Sequence, residues 1–142
     1  MDLRILVVDD SRTTRRVVAA MVSSRWTVCG FAENGTTGVK KFRELKPDLV
    51  LLDLAMPDID GLEAGRQMHA IDPSVPLILF TLLDTWGLEA PARNAGISRV
   101  VSKAEGWRLI QAIEEIVAEM GNSGRHSKIT PISARKPESS SM

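Results

Sequence analysis

Short apolar runs alternate with amphipathic segments along the first 120 residues of this chain. The runs are continuously apolar and rich in β-branched residues, a pattern typical of strands buried on both faces of a parallel sheet. The segments between them repeat apolar residues every three or four positions, which predicts helices with one buried face. We therefore expect five strand–helix pairs, with strands at 3–8, 27–32, 48–53, 76–81 and 99–102.

The predicted helices have recognisable ends. Ser11 is a good N-cap for a first helix reaching about residue 24, and Pro47 ends a second helix at 35–45. A third helix follows Gly61, and Pro91 fits a fourth, at 86–95, only if it lies in the first turn. The fifth helix covers 106–120. The expected buried faces of the first and last helices comprise Val17, Val18, Met21 and Val22, and Trp107, Ile110, Ile113, Val117 and Met120.

This element order predicts the fold class. Helical connections between parallel strands are right-handed, so a doubly wound α/β sandwich is expected. A closed barrel of this kind needs eight strand–helix units and about 250 residues. The chain has 142 residues, too few for such a barrel.

Composition changes after residue 120. Residues 121–142 contain six serines, and their four basic residues against one acidic residue give a net charge of +3. We expect one folded domain at 1–120, with a net charge of −3, and a disordered basic, serine-rich tail at 121–142. No output domain of ordinary size fits within that tail.

Charge, cysteine content and hydropathy exclude several classes. The net charge of zero argues against a nucleic-acid binder. A single cysteine, Cys29, rules out an internal disulfide. No apolar run approaches the roughly 18 residues of a membrane span, and Ile5–Val8 is too short for a signal peptide. We expect a soluble, cytoplasmic protein.

Polar side chains follow four of the predicted strands. Asp9 and Asp10 follow the first, Asp53 ends the third, Thr81 ends the fourth, and Lys103 follows the fifth. Ligands of open parallel sheets bind beyond the carboxyl ends of the strands, so these groups should converge. Grouped carboxylates repel one another unless they are protonated or share a cation, and carboxylate oxygens suit Mg²⁺. Asp53, alone at the end of the central strand, is then the best nucleophile toward a phosphoryl group.

The segments LVVDDS, LVLLDLAMPDIDG, LILFT and VVSK, in this order and spacing, resemble the receiver domain of two-component response regulators. The resemblance covers residues 1–120 and implies a flavodoxin-like (βα)5 fold with strand order 2-1-3-4-5. It implies that Asp53 accepts a phosphoryl group from a histidine kinase or a histidine phosphotransfer protein. Such a protein catalyses only its own phosphorylation and dephosphorylation, so it is not an enzyme in the usual sense.

The same resemblance assigns the other site residues. Asp10 and Asp53 would ligate Mg²⁺, with Asp9 acting mainly through water and the Ala55 backbone carbonyl completing the site. Thr81 and Lys103 would bind the phosphoryl group. Phosphorylation would change contacts with a downstream protein on the face formed by the fourth helix, fifth strand and fifth helix. The sequence leaves homodimerisation open.

Several positions depart from the usual pattern of such receivers. Val100 stands where an aromatic switch residue is common, and Ala104 where a proline with a cis bond often follows the lysine. A cis bond here would cost about 2.5–4 kcal/mol, so we expect a trans bond. Ala55 and Leu83 are apolar at two positions that, in such receivers, often influence the water that attacks the phosphoryl group during dephosphorylation. Slow loss of the phosphoryl group is therefore expected.

Alternative hypotheses remain at this point. A non-catalytic adaptor of the same fold would bind its partner regardless of phosphate, and Val100 and Ala104 allow it. A hydrolase with an aspartyl intermediate is disfavoured, because Ala55 replaces the second acidic residue that it needs. Arg12, Arg15 and Arg16 form either a solvated helix face or a contact for a phosphoryl donor.

Overall fold

The computed structural model describes the backbone of residues 2–126 and the side chains of residues 2–121. The chain divides into two compact units after Ile110, and the part of the last helix beyond that residue belongs to the second unit. The strands are β1 (Arg4–Val8), β2 (Thr27–Ala32), β3 (Leu49–Leu52), β4 (Leu77–Thr81) and β5 (Arg99–Ser102). The α-helices are α1 (Arg12–Val22), α2 (Gly35–Leu45), α3 (Gly61–Ile71), α4 (Glu89–Asn94) and α5 (Trp107–His126).

All strands are parallel and lie in the order β2-β1-β3-β4-β5. The predicted doubly wound fold and its strand order are therefore confirmed. Successive residues of each strand face opposite sides of the sheet. Leu6 and Val8 belong to a core cluster with residues of α2, α3 and α4, whereas Val7 lies beside Val18 of α1 on the other side.

Helix ends follow local chemistry. The Ser11 hydroxyl accepts a hydrogen bond from the Thr14 N–H, as predicted for the N-cap of α1. Pro91 is the third residue of α4, within the first turn where proline is tolerated. Gly96, with φ of +87°, follows the end of that helix in the left-handed conformation that glycine adopts at little cost.

Three details of the prediction are wrong. Val17 and Trp107, both expected to be buried, are 52% and 59% exposed. The buried face of α1 is narrower than the spacing predicts, because Val18 and Val22 alone are its buried residues. Helix α5 also continues past Gly121 to His126, since its two glycines, Gly121 and Gly124, cost only about 1 kcal/mol each. The rest of the predicted tail, 127–142, lies outside the described residues.

No helix among the described residues has the length and apolar character that crossing a membrane requires.

Candidate functional site

Asp9 and Asp53 lie side by side at the carboxyl edge of the sheet. Val8 of β1 pairs in register with Leu52 of β3, and each of these residues is followed by an aspartate. The N–H of Asp53 donates to the carbonyl of Val8 at 2.9 Å, which fixes the end of β3 against β1. The convergence expected from the strand order is therefore present.

Asp10 completes a group of three carboxylates. One oxygen from each of Asp9, Asp10 and Asp53 lies within 4.8 Å of the other two. Asp9 and Asp53 are buried, whereas Asp10 is exposed. Unit charges about 5 Å apart repel by roughly 3 kcal/mol at an effective dielectric of 20, so this arrangement favours a bound cation. An all-oxygen donor set with one solvent-facing carboxylate fits a hard divalent ion that keeps several waters.

Lys103 supplies a positive charge beside these carboxylates. Its Nζ lies 2.7 Å from Oδ2 of Asp9 and 3.4 Å from Oδ2 of Asp53. The three side chains are between 4% and 9% exposed, so water screens these ion pairs weakly. The position of Lys103 follows from register, because it directly succeeds Ser102, which pairs with Thr81 on β4.

Thr81 is buried at the end of β4. Its hydroxyl oxygen accepts a hydrogen bond of 3.2 Å from the N–H of Leu83. The hydroxyl proton remains available as a donor toward an incoming oxygen anion. Thr81 and Lys103 therefore offer a neutral donor and a cation on neighbouring strands at the same edge as the carboxylates.

The electrostatics single out Asp53. Burial is the main cause that raises the pKa of Asp53 above its ordinary value of 3.8, and the charge of Asp9 raises it further. Lys103 and the hydrogen bond from the Leu54 N–H to the Asp53 carboxylate, at 2.9 Å, act in the opposite direction. Asp53 is thus the carboxylate at this edge on which burial, the like charge of Asp9 and the ammonium of Lys103 all act.

The loop after Asp53 turns back onto the strand end. The Gly61 N–H donates to the carbonyl of Leu54 at 2.7 Å. A Cβ atom at Gly61 would lie 2.2 Å from the carbonyl oxygen of Asp53, so the close approach requires glycine. Ala55 lies exposed in this loop, two residues after Asp53.

Ala104 and Val100, the two departures from the usual pattern near Lys103, lie in a turn and beside a cleft. No cis peptide bond occurs in the described chain, which confirms the trans bond expected before Ala104. Residues Lys103–Glu105 form a short 3₁₀ turn instead. Val100 lines an open cleft of about 260 Å³ between α4 and β5, together with Glu89, Arg93, Ile97, Ser98 and Arg99.

Two residues at this edge were missed as site residues. Arg15 donates from Nη1 to the main-chain carbonyl of Asp9 at 2.7 Å. The Asp58 carboxylate accepts the N–H groups of Gly35 and Thr36, both at 3.0 Å, and ties the loop after Asp53 to the start of α2. No sequence signal indicates either contact.

Residues 5–114 match the family model of the response regulator receiver domain. The chain is 37% identical over 115 residues to the chemotaxis protein CheY of Listeria monocytogenes, covering 80% of this chain and 97% of that protein. It is also 40% identical over 138 residues to a protein-glutamate methylesterase/protein-glutamine glutaminase of Nocardioides, covering 91% of this chain and 38% of that protein.

The fold is similar to that of a solved response regulator. A two-component response regulator of the LuxR family from Aurantimonas superposes with a TM-score of 0.79 at 30% identity, covering 84% of this chain and 87% of that one. Apart from Arg4, the first residue of β1, the family match covers all five strands, and it includes all the site residues described above. This chain therefore belongs to the response regulator receiver domain family, whose members accept a phosphoryl group on an aspartate.

Proposed function

We propose that Asp53 is the phosphoacceptor of this receiver and that Lys103, Thr81 and a Mg²⁺ ion assist the transfer. The observation that carries the proposal is the contact of one buried ammonium, that of Lys103, with both Asp9 and Asp53. The ammonium of this buried lysine can stabilise the negative charge that a transferred phosphoryl group would bring to the site. Thr81, at the same edge, adds a hydroxyl donor.

The transfer needs only a nucleophile and charge stabilisation. An oxygen of the Asp53 carboxylate forms a new P–O bond while the P–N bond of a phosphohistidine breaks, and the donor imidazole keeps the released electron pair and takes up a proton. Negative charge spreads over the equatorial oxygens of the phosphoryl group. The ammonium of Lys103 and the hydroxyl of Thr81 neutralise part of it.

The carboxylates of Asp10 and Asp53 and the backbone carbonyl of Ala55 would hold the Mg²⁺ ion, with Asp9 acting through water. The chemistry of the donor set, all oxygen and partly open to solvent, supports this assignment. When bound, the ion would supply positive charge beside the transferred phosphoryl group. Asp9 is already engaged by Lys103 and by the Ser11 N–H, at 2.9 Å, which supports its more distant role.

The partners follow from this chemistry. The donor is proposed to be a histidine kinase or a histidine phosphotransfer protein acting in the cytoplasm, and the protein would catalyse only its own phosphorylation and dephosphorylation. The downstream partner is a protein that binds beside α4 and β5. The cleft lined by Val100 offers it an apolar wall flanked by Arg93, Arg99 and Glu89.

Labelling by acetyl phosphate tests the assignment. We expect Mg²⁺-dependent incorporation of one phosphoryl group into the wild-type protein, measured by intact mass. The label should be absent from Asp53→Asn and retained by Asp84→Asn, which removes an exposed carboxylate from the loop after β4. Labelling that survives in Asp53→Asn contradicts the proposal. A wild-type protein that stays unlabelled yet binds its partner would instead support the adaptor hypothesis, which Val100 and Ala104 allow and the intact acidic set disfavours.

A further inference from the structure

Helix α1 sends one side chain back to the loop that carries the acidic pair. Nη1 of Arg15 donates to the main-chain carbonyl of Asp9 at 2.7 Å, in the range of a strong charge-assisted hydrogen bond. Arg15 is half-buried, whereas Arg12 and Arg16 on the same helix are exposed. We propose that Arg15 is a positioning residue for the cation site, a role that rests on the proposed function.

The contact acts on the peptide unit that joins the two aspartates. The other polar groups of Asp9 are engaged, since its N–H donates to Ala32 and its carboxylate accepts from Ser11 and Lys103. The remaining carbonyl is the one that the guanidinium holds. Because a peptide unit is planar, fixing this carbonyl also fixes the N and Cα atoms of Asp10. The guanidinium therefore restrains the backbone position from which the exposed carboxylate of Asp10 extends.

The placement of the Asp10 carboxylate matters for binding of Mg²⁺. Mg²⁺ demands near-ideal octahedral geometry and tolerates misplaced ligands poorly. Asp10 is the exposed member of the three carboxylates, with little packing of its own to restrain it. The helix thus supplies through Arg15 the restraint that burial supplies to Asp9 and Asp53.

Removing Arg15 has two opposite effects on the affinity for Mg²⁺. The guanidinium is positive, so its loss alone would strengthen binding of a divalent cation. Its loss also frees the peptide unit, which weakens binding. Salt separates the two, because added ions screen the charge effect of a half-exposed group and leave the positioning effect unchanged.

The experiment measures the dissociation constant for Mg²⁺ by calorimetry on the full chain, at low and at high salt. The variants are Arg15→Met, Arg15→Gln and Arg15→Lys, with Arg16→Met as a control that removes one exposed positive charge from the same turn. Thermal unfolding in a chelator checks that each variant is folded at the assay temperature. Because two neutral variants are measured, the test still holds if one of them does not fold.

At high salt we expect Arg15→Met and Arg15→Gln to weaken Mg²⁺ binding roughly tenfold, as loss of a group that orients a metal ligand does. Arg15→Lys should recover part of this loss, and Arg16→Met should bind Mg²⁺ like the wild type. Folded neutral variants with wild-type affinity at high salt would overturn the inference and leave the proposed function standing. A wild-type protein that does not bind Mg²⁺ would overturn both.

Discussion

The Nζ atom of Lys103 lies 2.7 Å from a carboxylate oxygen of Asp9, and both side chains are almost completely buried. The two residues are 94 positions apart in the sequence, so the contact joins the first and last strands of the fold. It also means that the carboxylates are partly neutralised before any cation binds. Lys103 and a bound cation therefore compete for the same negative charge.

Replacing Lys103 with methionine should leave two buried carboxylates without their cation. Loss of one partner of a buried ion pair costs about 3–5 kcal/mol, and we expect a destabilisation of this order in the presence of a chelator. Added Mg²⁺ should restore part of the stability and bind more tightly than to the wild type. Denaturant unfolding with and without Mg²⁺ measures both effects. Lys40→Met, at an exposed lysine, is the control, and equal stability of the two variants would refute the expectation.

Asp53 should make stability depend on pH in an unusual direction. Burial raises its pKa above 3.8 in the folded protein, so the folded state holds the proton more tightly than the unfolded chain. The stabilisation from this proton is present below the ordinary pKa and is lost as pH rises through the folded value. Asp53→Asn should therefore raise the melting temperature at neutral pH in a chelator. The gain should disappear toward pH 3.8. A lower melting temperature at neutral pH would contradict this.

Asp58 should make stability depend on pH in the opposite direction. Hydrogen bonds, chiefly with Thr36, lower its pKa to about 2. Its contribution to stability is present above the ordinary pKa of 3.8 and is lost as pH falls through about 2. Asp58→Ala should thus be less stable than the wild type at neutral pH and nearly equal to it near pH 2. Thermal unfolding across this range, with the exposed Glu33→Ala as control, tests the prediction.

The phosphoryl group on the protein should be long-lived. Ala55 and Leu83 offer no hydrogen bond to an attacking water, and both are exposed beside the site. We expect a half-life of minutes or longer for the purified phosphoprotein after removal of the donor. Ala55→Asn and Leu83→Gln should each shorten it several-fold, whereas Leu82→Gln, at the exposed neighbour, should not. A wild-type half-life of seconds would show that the apolar pair does not limit hydrolysis.

The strand pattern was sufficient to predict the fold and the meeting of the site residues. Continuous apolar runs located β1, β3, β4 and β5, and in a parallel sheet their ends must share one edge. The strand ends therefore predict that the side chains of Asp9, Asp53, Thr81 and Lys103 lie together. Val17 and Trp107 were misplaced, because spacing defines a helix face only to within a residue or two and cannot show how far the buried stripe extends.

The contacts of Arg15 and Asp58 depend on loop geometry and were not predictable. The guanidinium of Arg15 reaches a main-chain carbonyl, a group that every residue carries and that no pattern of side chains reveals. Asp58 caps a helix that begins 23 positions earlier, whereas the capping signals readable in a sequence are local. Asn34, the local N-cap of α2, was within reach of sequence reasoning, and its partner from the distant loop was not.

The close packing of Gly61 on the carbonyl of Asp53 has a consequence for genetics. Any side chain at position 61 would displace the backbone of Asp53, although Gly61 itself takes no part in the chemistry. A screen for loss of signalling would recover changes at Gly61 alongside those at Asp53. Acetyl phosphate labelling would fail in both sets, so a position that only makes room would be mistaken for one that reacts.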